Sequence, residues 1–68
     1  MKLYHLPRGK WFRLLEDTQA PPDIGGYEAN RVMKLGNIDG MYSFCTDEHS
    51  NVYHPAAWSE VEMVSDPL

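Results

Sequence analysis

The chain reads as an all-β domain of five short strands, and three features predict this. Apolar and polar residues alternate in short runs, as in Trp11-Phe12-Arg13-Leu14 and Glu60-Val61-Glu62-Met63-Val64, and a period of two marks a half-buried strand. Asp39-Gly40 separates two further runs of this kind, which is the strongest short-range hairpin signal. Helical spacing never persists long enough to support a helix, since isolated helices below about 12–15 residues are marginal.

Taken in order, Met1 to Leu6 is an apolar start (Leu3, Tyr4, Leu6), and Pro7 and Gly9 mark a turn. A first strand is expected over residues 10–16, with Phe12 and Leu14 inward and Trp11 and Arg13 outward. Pro21-Pro22 removes two amide donors and Gly25-Gly26 loosens the chain, so residues 17–26 form a long loop. A second strand is expected over 29–36. A two-residue turn at Asp39-Gly40 then sets Ile38 against Met41, Leu35 against Phe44 and Met33 against Thr46. Side chains alternate along a strand, so Met33, Leu35, Tyr42 and Phe44 would share the inner face, and Lys34, Ser43 and Cys45 the other. A turn at Gly36-Asn37 would set Met33 against Gly40 and lose that apolar face.

Asp47 to Asn51 is a polar tip, after which Val52 returns opposite Thr46, pointing inward, and His54 opposite Phe44. Pro55 to Trp58 is too short for an α-helix and suits one 3₁₀ turn. The last strand, over 60–64, has Val61 and Met63 inward, and residues 65–68 fray. The ordered core then spans about residues 3–64 of a single domain.

Composition bounds the class. A chain of 68 residues buries only about 60% of its unfolded surface, so its core is marginal. Cys45 is the sole cysteine, which excludes an internal disulfide and suits a reducing, cytoplasmic setting. The start of the chain does not read as a signal peptide, and no run approaches the roughly 18 apolar residues of a membrane span. The net charge is −4. Every Lys and Arg lies within residues 1–34, while Asp39, Asp47, Glu48, Glu60, Glu62 and Asp66 follow without a cation among them. Pairing across strands would cancel this asymmetry. Otherwise an acidic face would meet a basic partner. The balance disfavours generic binding to a phosphate backbone.

The order of elements, and the tail Tyr53-His54-Pro55-Ala56-Ala57-Trp58-Ser59-Glu60-Val61, resemble an SH3-like barrel. In SH3 domains a proline opens a 3₁₀ turn, an aromatic follows three residues later, and a last short strand closes the barrel. The resemblance implies a small five-stranded barrel with Pro55 and Trp58 lining a peptide groove. The aromatic-Asp-Tyr motif of the SH3 first strand is absent. A looser similarity is to small uncharacterised bacteriophage proteins. It rests on Leu6-Pro7-Arg8-Gly9-Lys10-Trp11-Phe12 and Val61-Glu62-Met63-Val64.

Residues capable of chemistry are few. Cys45, Asp47, His49 and His54 fall on or beside one hairpin but match no zinc spacing. Cys45 is therefore read as a packing residue and the histidines as surface residues. A Cys45–His54 nucleophile and base would need an orienting group and a closed pocket, for which so short a chain has little room. Asp47-Glu48 and Glu60/Glu62 read as a solvated turn and a strand face. The expectation is a protein without enzymatic activity, cofactor or metal.

Aromatic residues carry the functional reading. Trp and Tyr dominate interface hot spots because they bury much area with few rotors. Trp11, Tyr27, Tyr53, Pro55 and Trp58 are the candidate partner-binding residues, with the 17–26 loop beside them and Arg8 and Arg13 at the rim. The sequence thus predicts a protein-binding module, of the kind a phage or mobile element uses to dock on a host protein. A single-strand nucleic-acid platform of Trp11, Arg13, Tyr53 and Lys34, a DNA mimic, and a self-assembling homo-oligomer are the alternatives.

Overall fold

The computed structural model describes residues 1–18 and 26–66. Most of the expected 17–26 loop, and residues 67–68 of the expected frayed tail, lie outside these.

The strands are β1 (Trp11–Leu14), β2 (Val32–Asp39), β3 (Tyr42–Thr46), β4 (Val52–Tyr53) and β5 (Val61–Val64). They form one antiparallel sheet in the order β4-β3-β2-β1-β5, with β4 and β5 at its edges and, among the described residues, no ladder closing it. Among the described residues, no helix is long and apolar enough to cross a membrane.

Phe12 and Leu14 point inward from β1 as the alternation requires, and both are fully buried. They pack with Leu3, Leu6, Met33, Leu35, Cys45 and Val61. Burying a residue of this kind is worth roughly 1.5–3 kcal/mol, so this small cluster is the main source of stability.

Among the described residues the 3₁₀ turn is not at Pro55 to Trp58 but at Leu3–His5. There it swings Leu3 and Leu6 into the core, with Leu6 N–H donating to the Leu3 carbonyl at 3.0 Å. Residues 55–59 instead run alongside other backbone. Ser43 N–H donates to Pro55 O, Ala57 N–H to Met41 O and Tyr4 N–H to Ala57 O, and a β-turn closes through Ser59 N–H to Ala56 O. These bonds need extended backbone on either side of one tight turn, which a 3₁₀ helix would not supply. The N-terminal segment also covers part of the β5 edge, through the Lys2↔Glu60 bridge and Val61 N–H to Met1 O at 2.8 Å.

The β2–β3 hairpin departs from the expected register twice. The turn residues are Gly40-Met41, so Asp39 pairs with Tyr42 and Ile38 with Ser43. Gly40 has φ +62° and Met41 has no positive φ, the sign pattern of a type II′ turn with glycine in its first central place. Further along, the register shifts at Gly36: Asn37 pairs with Phe44, but Leu35 pairs with Cys45.

This bulge, not the turn, exchanges the faces. Moving the turn alone would leave odd-numbered β2 residues opposite even-numbered β3 residues. One extra residue in β2 sets Leu35 opposite Cys45, so Ser43 and Cys45 join the core while Tyr42 and Phe44 turn outward. A Cβ on Gly36 would lie 3.0 Å from the Phe44 carbonyl oxygen, a close approach that favours glycine at the bulge.

Two other expectations about direction are corrected. Val52 does pair with Thr46, but both sit on the outer face, so Val52 is exposed. Met63 pairs with Phe12 across β1–β5 yet is 46% exposed, because β5 is an edge strand of the sheet.

Candidate protein-binding surface

The register defines an outer face in three rows. Lys34, Thr46 and Val52 are cross-strand neighbours on β2, β3 and β4. Asn37 and Phe44 form the next row, where the His54 ring meets Phe44 edge-on with centroids 5.8 Å apart. Asp39 and Tyr42 form the last, and the Trp58 ring lies 6.4 Å from Tyr42. Phe44 is 45%, Val52 48% and Trp58 40% exposed, and Met41 projects at the turn beside them. Large apolar side chains are thus gathered on one side of β3 and β4. Exposed apolar residues scattered singly need no explanation, whereas these are grouped.

The support beneath this face is polar and satisfied. Ser43 Oγ donates to the Pro55 carbonyl at 2.9 Å and lies 3.3 Å from Cys45 Sγ. His54 is held by Nδ1–H donating to the Ser43 carbonyl at 3.0 Å, which leaves its ring against Phe44. The 55–59 turn carrying Trp58 is closed by Ser59 Oγ–H donating to the Ala56 carbonyl at 2.6 Å. Thr18 Oγ1 also bonds to Ser59 Oγ.

Tyr27 and Tyr53 lie together at the β4 edge, edge-to-face at 5.4 Å. The Tyr27 hydroxyl accepts the His54 N–H at 2.9 Å, so it caps an edge-strand donor. Tyr53 donates to Asp47 Oδ2 at 2.8 Å and accepts from Arg31, whose guanidinium lies 5.2 Å from the ring centroid. Asp47 Oδ1 also takes the His49 and Asn51 N–H groups, and its Oδ2 takes Asn51 Nδ2. Partial burial pushes the Asp47 carboxyl up, but the donors from Asn51, Tyr53 and His49 outweigh it and hold it well below the usual carboxylate range. The hydrogen bond to Asp47, followed by burial, raises the Tyr53 phenol, against an opposing effect of Arg31. Both tyrosines are half-buried and committed to holding the 47–51 tip and the edge.

Of the sequence candidates, Trp58 alone is classed as exposed. Trp11 is on the outer side of β1 by alternation, as expected, but is only 7% exposed. Its cross-strand neighbours are Lys34 and Val64, and the Lys34 ammonium lies 5.9 Å from its ring centroid. Pro55 is fully buried, and its carbonyl is used internally. Arg13 pairs with Glu62 at 3.2 Å and with Asn30 at 2.5 Å, which ties it to its own chain. Sequence reasoning missed Tyr42, Phe44 and Val52, having turned all three inward. Gly36 inside an otherwise regular strand was the available signal, since an isolated strand glycine suggests a bulge.

Cys45 is buried, and desolvation pushes its thiol up to about 11, against smaller opposing bonds from Ser43 and the Gly36 backbone. It is therefore a neutral thiol at pH 7, without the thiolate that nucleophilic chemistry needs. Among the described residues there is no group of three or more metal-capable side chains and no enclosed pocket.

The chain matches no family model, no curated protein and no solved structure.

Proposed function

We propose that this chain is a non-enzymatic protein-binding module that engages its partner through the outer face of β2, β3 and β4. The observation that carries this reading is the grouping of exposed Phe44, Val52 and Trp58, with Tyr42 and His54 packed between them. Aromatics held by cross-strand neighbours lose little entropy on binding, which suits them to act as anchors. The order β4-β3-β2-β1-β5 supports an SH3-like arrangement, in which the 55–58 turn presents its aromatic beside β3. A phage or mobile-element accessory protein docking on a host protein is the setting we attach to it, on the similarity of the 6–12 and 61–64 segments. The single-strand platform loses support, because stacking needs Trp11 at the surface and Trp11 is buried.

Photo-cross-linking tests this. Benzoylphenylalanine is placed at position 44 or 58, and at the exposed Glu16 as control, in the cell that makes the protein. Discrete adducts from 44 and 58 but not from 16 are expected. No adduct from 44 or 58, or the same adducts from 16, overturns the assignment.

A further inference from the structure

Lys34 and Asp39 on the outer face have no ion-pair partner among the described residues. Lys2 bonds to Glu60 at 2.6 Å, Arg13 to Glu62 and Arg31 to the Tyr53 hydroxyl, whereas Lys34 has, among these residues, only the Trp11 ring 5.9 Å from its ammonium. Lys34 and Asp39 are both exposed. They stand at opposite ends of β2, with Asn37 and Phe44 in the row between them.

This arrangement is complementary to itself. Consider a twofold axis lying in the plane of the interface, across the strands and over the Phe44 row. It brings a second copy face to face and turns its strands end for end. The row Lys34, Thr46, Val52 then lies over Asp39, Tyr42, Trp58 of the other copy, and the reverse holds by symmetry. Each Lys34 meets an Asp39, each exposed Val52 meets a Trp58, and Phe44 meets its equivalent on the axis. Isologous contacts require such self-complementarity, and two sheets stacked this way form an ordinary sandwich spaced about 10 Å apart.

We infer that the occupant of this face is a second copy of the chain, held by the apolar centre and two symmetric Lys34–Asp39 pairs. The inference rests on the reading of the face as a binding surface: a second copy covers it when no host protein is docked there, and the two compete for it. The molecule measures 30 × 24 × 20 Å, so a flat face is at most about 700 Å², below the roughly 800 Å² per partner of a standard interface. The dimer is therefore concentration-dependent. Its charge pairs set orientation more than strength, and salt weakens them.

The test is sedimentation equilibrium over a concentration series up to about 1 mM, the dissociation constant of a marginal complex. It covers the wild type, K34E, D39K, the K34E/D39K double variant and F44D, with denaturation curves confirming that each folds. A reversible wild-type dimer is expected. Each single charge change sets like charges together twice and weakens it about tenfold. The double variant exchanges the charges and recovers most of the affinity, and F44D is monomeric. A double variant no better than its singles overturns the geometry, as does an F44D dimer of wild-type affinity. A wild-type monomer throughout overturns the dimer. If position 44 still cross-links to another protein in that case, the binding face stands and only the second copy is wrong.

Discussion

Replacing Phe44 by alanine separates two descriptions of the hairpin that set Phe44 opposite different residues of β2, Leu35 or Asn37. With Phe44 opposite Leu35 in the core, truncation would leave a cavity and cost about 3–5 kcal/mol, as for other buried Phe→Ala changes. In the structure Phe44 pairs with Asn37, is 45% exposed and lies open to solvent. Only about half its surface leaves water on folding, so the transfer contribution is about half of the 1.5–3 kcal/mol of a fully buried side chain, and no closed cavity forms. The expected cost is thus about 1 kcal/mol. Phe12→Ala, at a fully buried position in the central cluster, should cost about 3–5 kcal/mol. A domain of this length has a total stability of roughly 3–10 kcal/mol, so Phe12→Ala should approach unfolding while Phe44→Ala remains folded. Urea titration followed by far-ultraviolet circular dichroism measures both. A loss at Phe44 as large as that at Phe12 would refute the outward placement.

Three further outcomes follow from the same structure. Acrylamide should quench the fluorescence of the W11F variant, which keeps Trp58, strongly, and that of W58F, which keeps Trp11, weakly; equal quenching contradicts their different burial. The Asp47 carboxyl is lowered in the folded state, so its contribution is present above the ordinary aspartate value of about 3.9 and is lost as pH falls below it. Urea midpoints of wild type and Asp47→Asn should therefore differ at pH 7 and converge progressively below about pH 4, whereas a gap that widens on acidification reverses the sign. The Cys45 thiol is raised to about 11 in the folded state. The stability that depends on its staying neutral is complete below the unfolded value of about 8.5 and is lost as pH rises towards 11. Melting temperatures across this range should fall more steeply for wild type than for Cys45→Ala, and native Cys45 should react with Ellman's reagent far more slowly than the denatured chain does.

How much was legible in the sequence depends on whether a residue's direction followed from its own strand or from its partner. Phe12, Leu14 and Val61 could be placed inward from alternation alone, and all are fully buried. The meander and the last strand were visible in the spacing of short apolar runs and turn residues. Val52 opposite Thr46 followed from the length of the polar tip. The inner face of β3 was not legible, because alternation within Tyr42-Ser43-Phe44-Cys45 is compatible with either side and hydrophobicity favours Tyr42 and Phe44. What decides it is one residue inserted at Gly36, which the bulge places in β2. Trp11 shows the converse: its strand side was read correctly, yet its place between Lys34 and Val64 depends on two partner strands. The proposed binding surface was missed for the same reason as the core, since assigning Phe44 inward removed its central aromatic.

The face proposed for binding exists only if the hairpin is bulged at Gly36, and cross-strand nuclear Overhauser effects read that register directly. Contacts linking Leu35 with Cys45, Asn37 with Phe44, Ile38 with Ser43 and Asp39 with Tyr42 are predicted. Contacts linking Leu35 with Phe44 and Ile38 with Met41 would return Phe44 to the core and contradict the account.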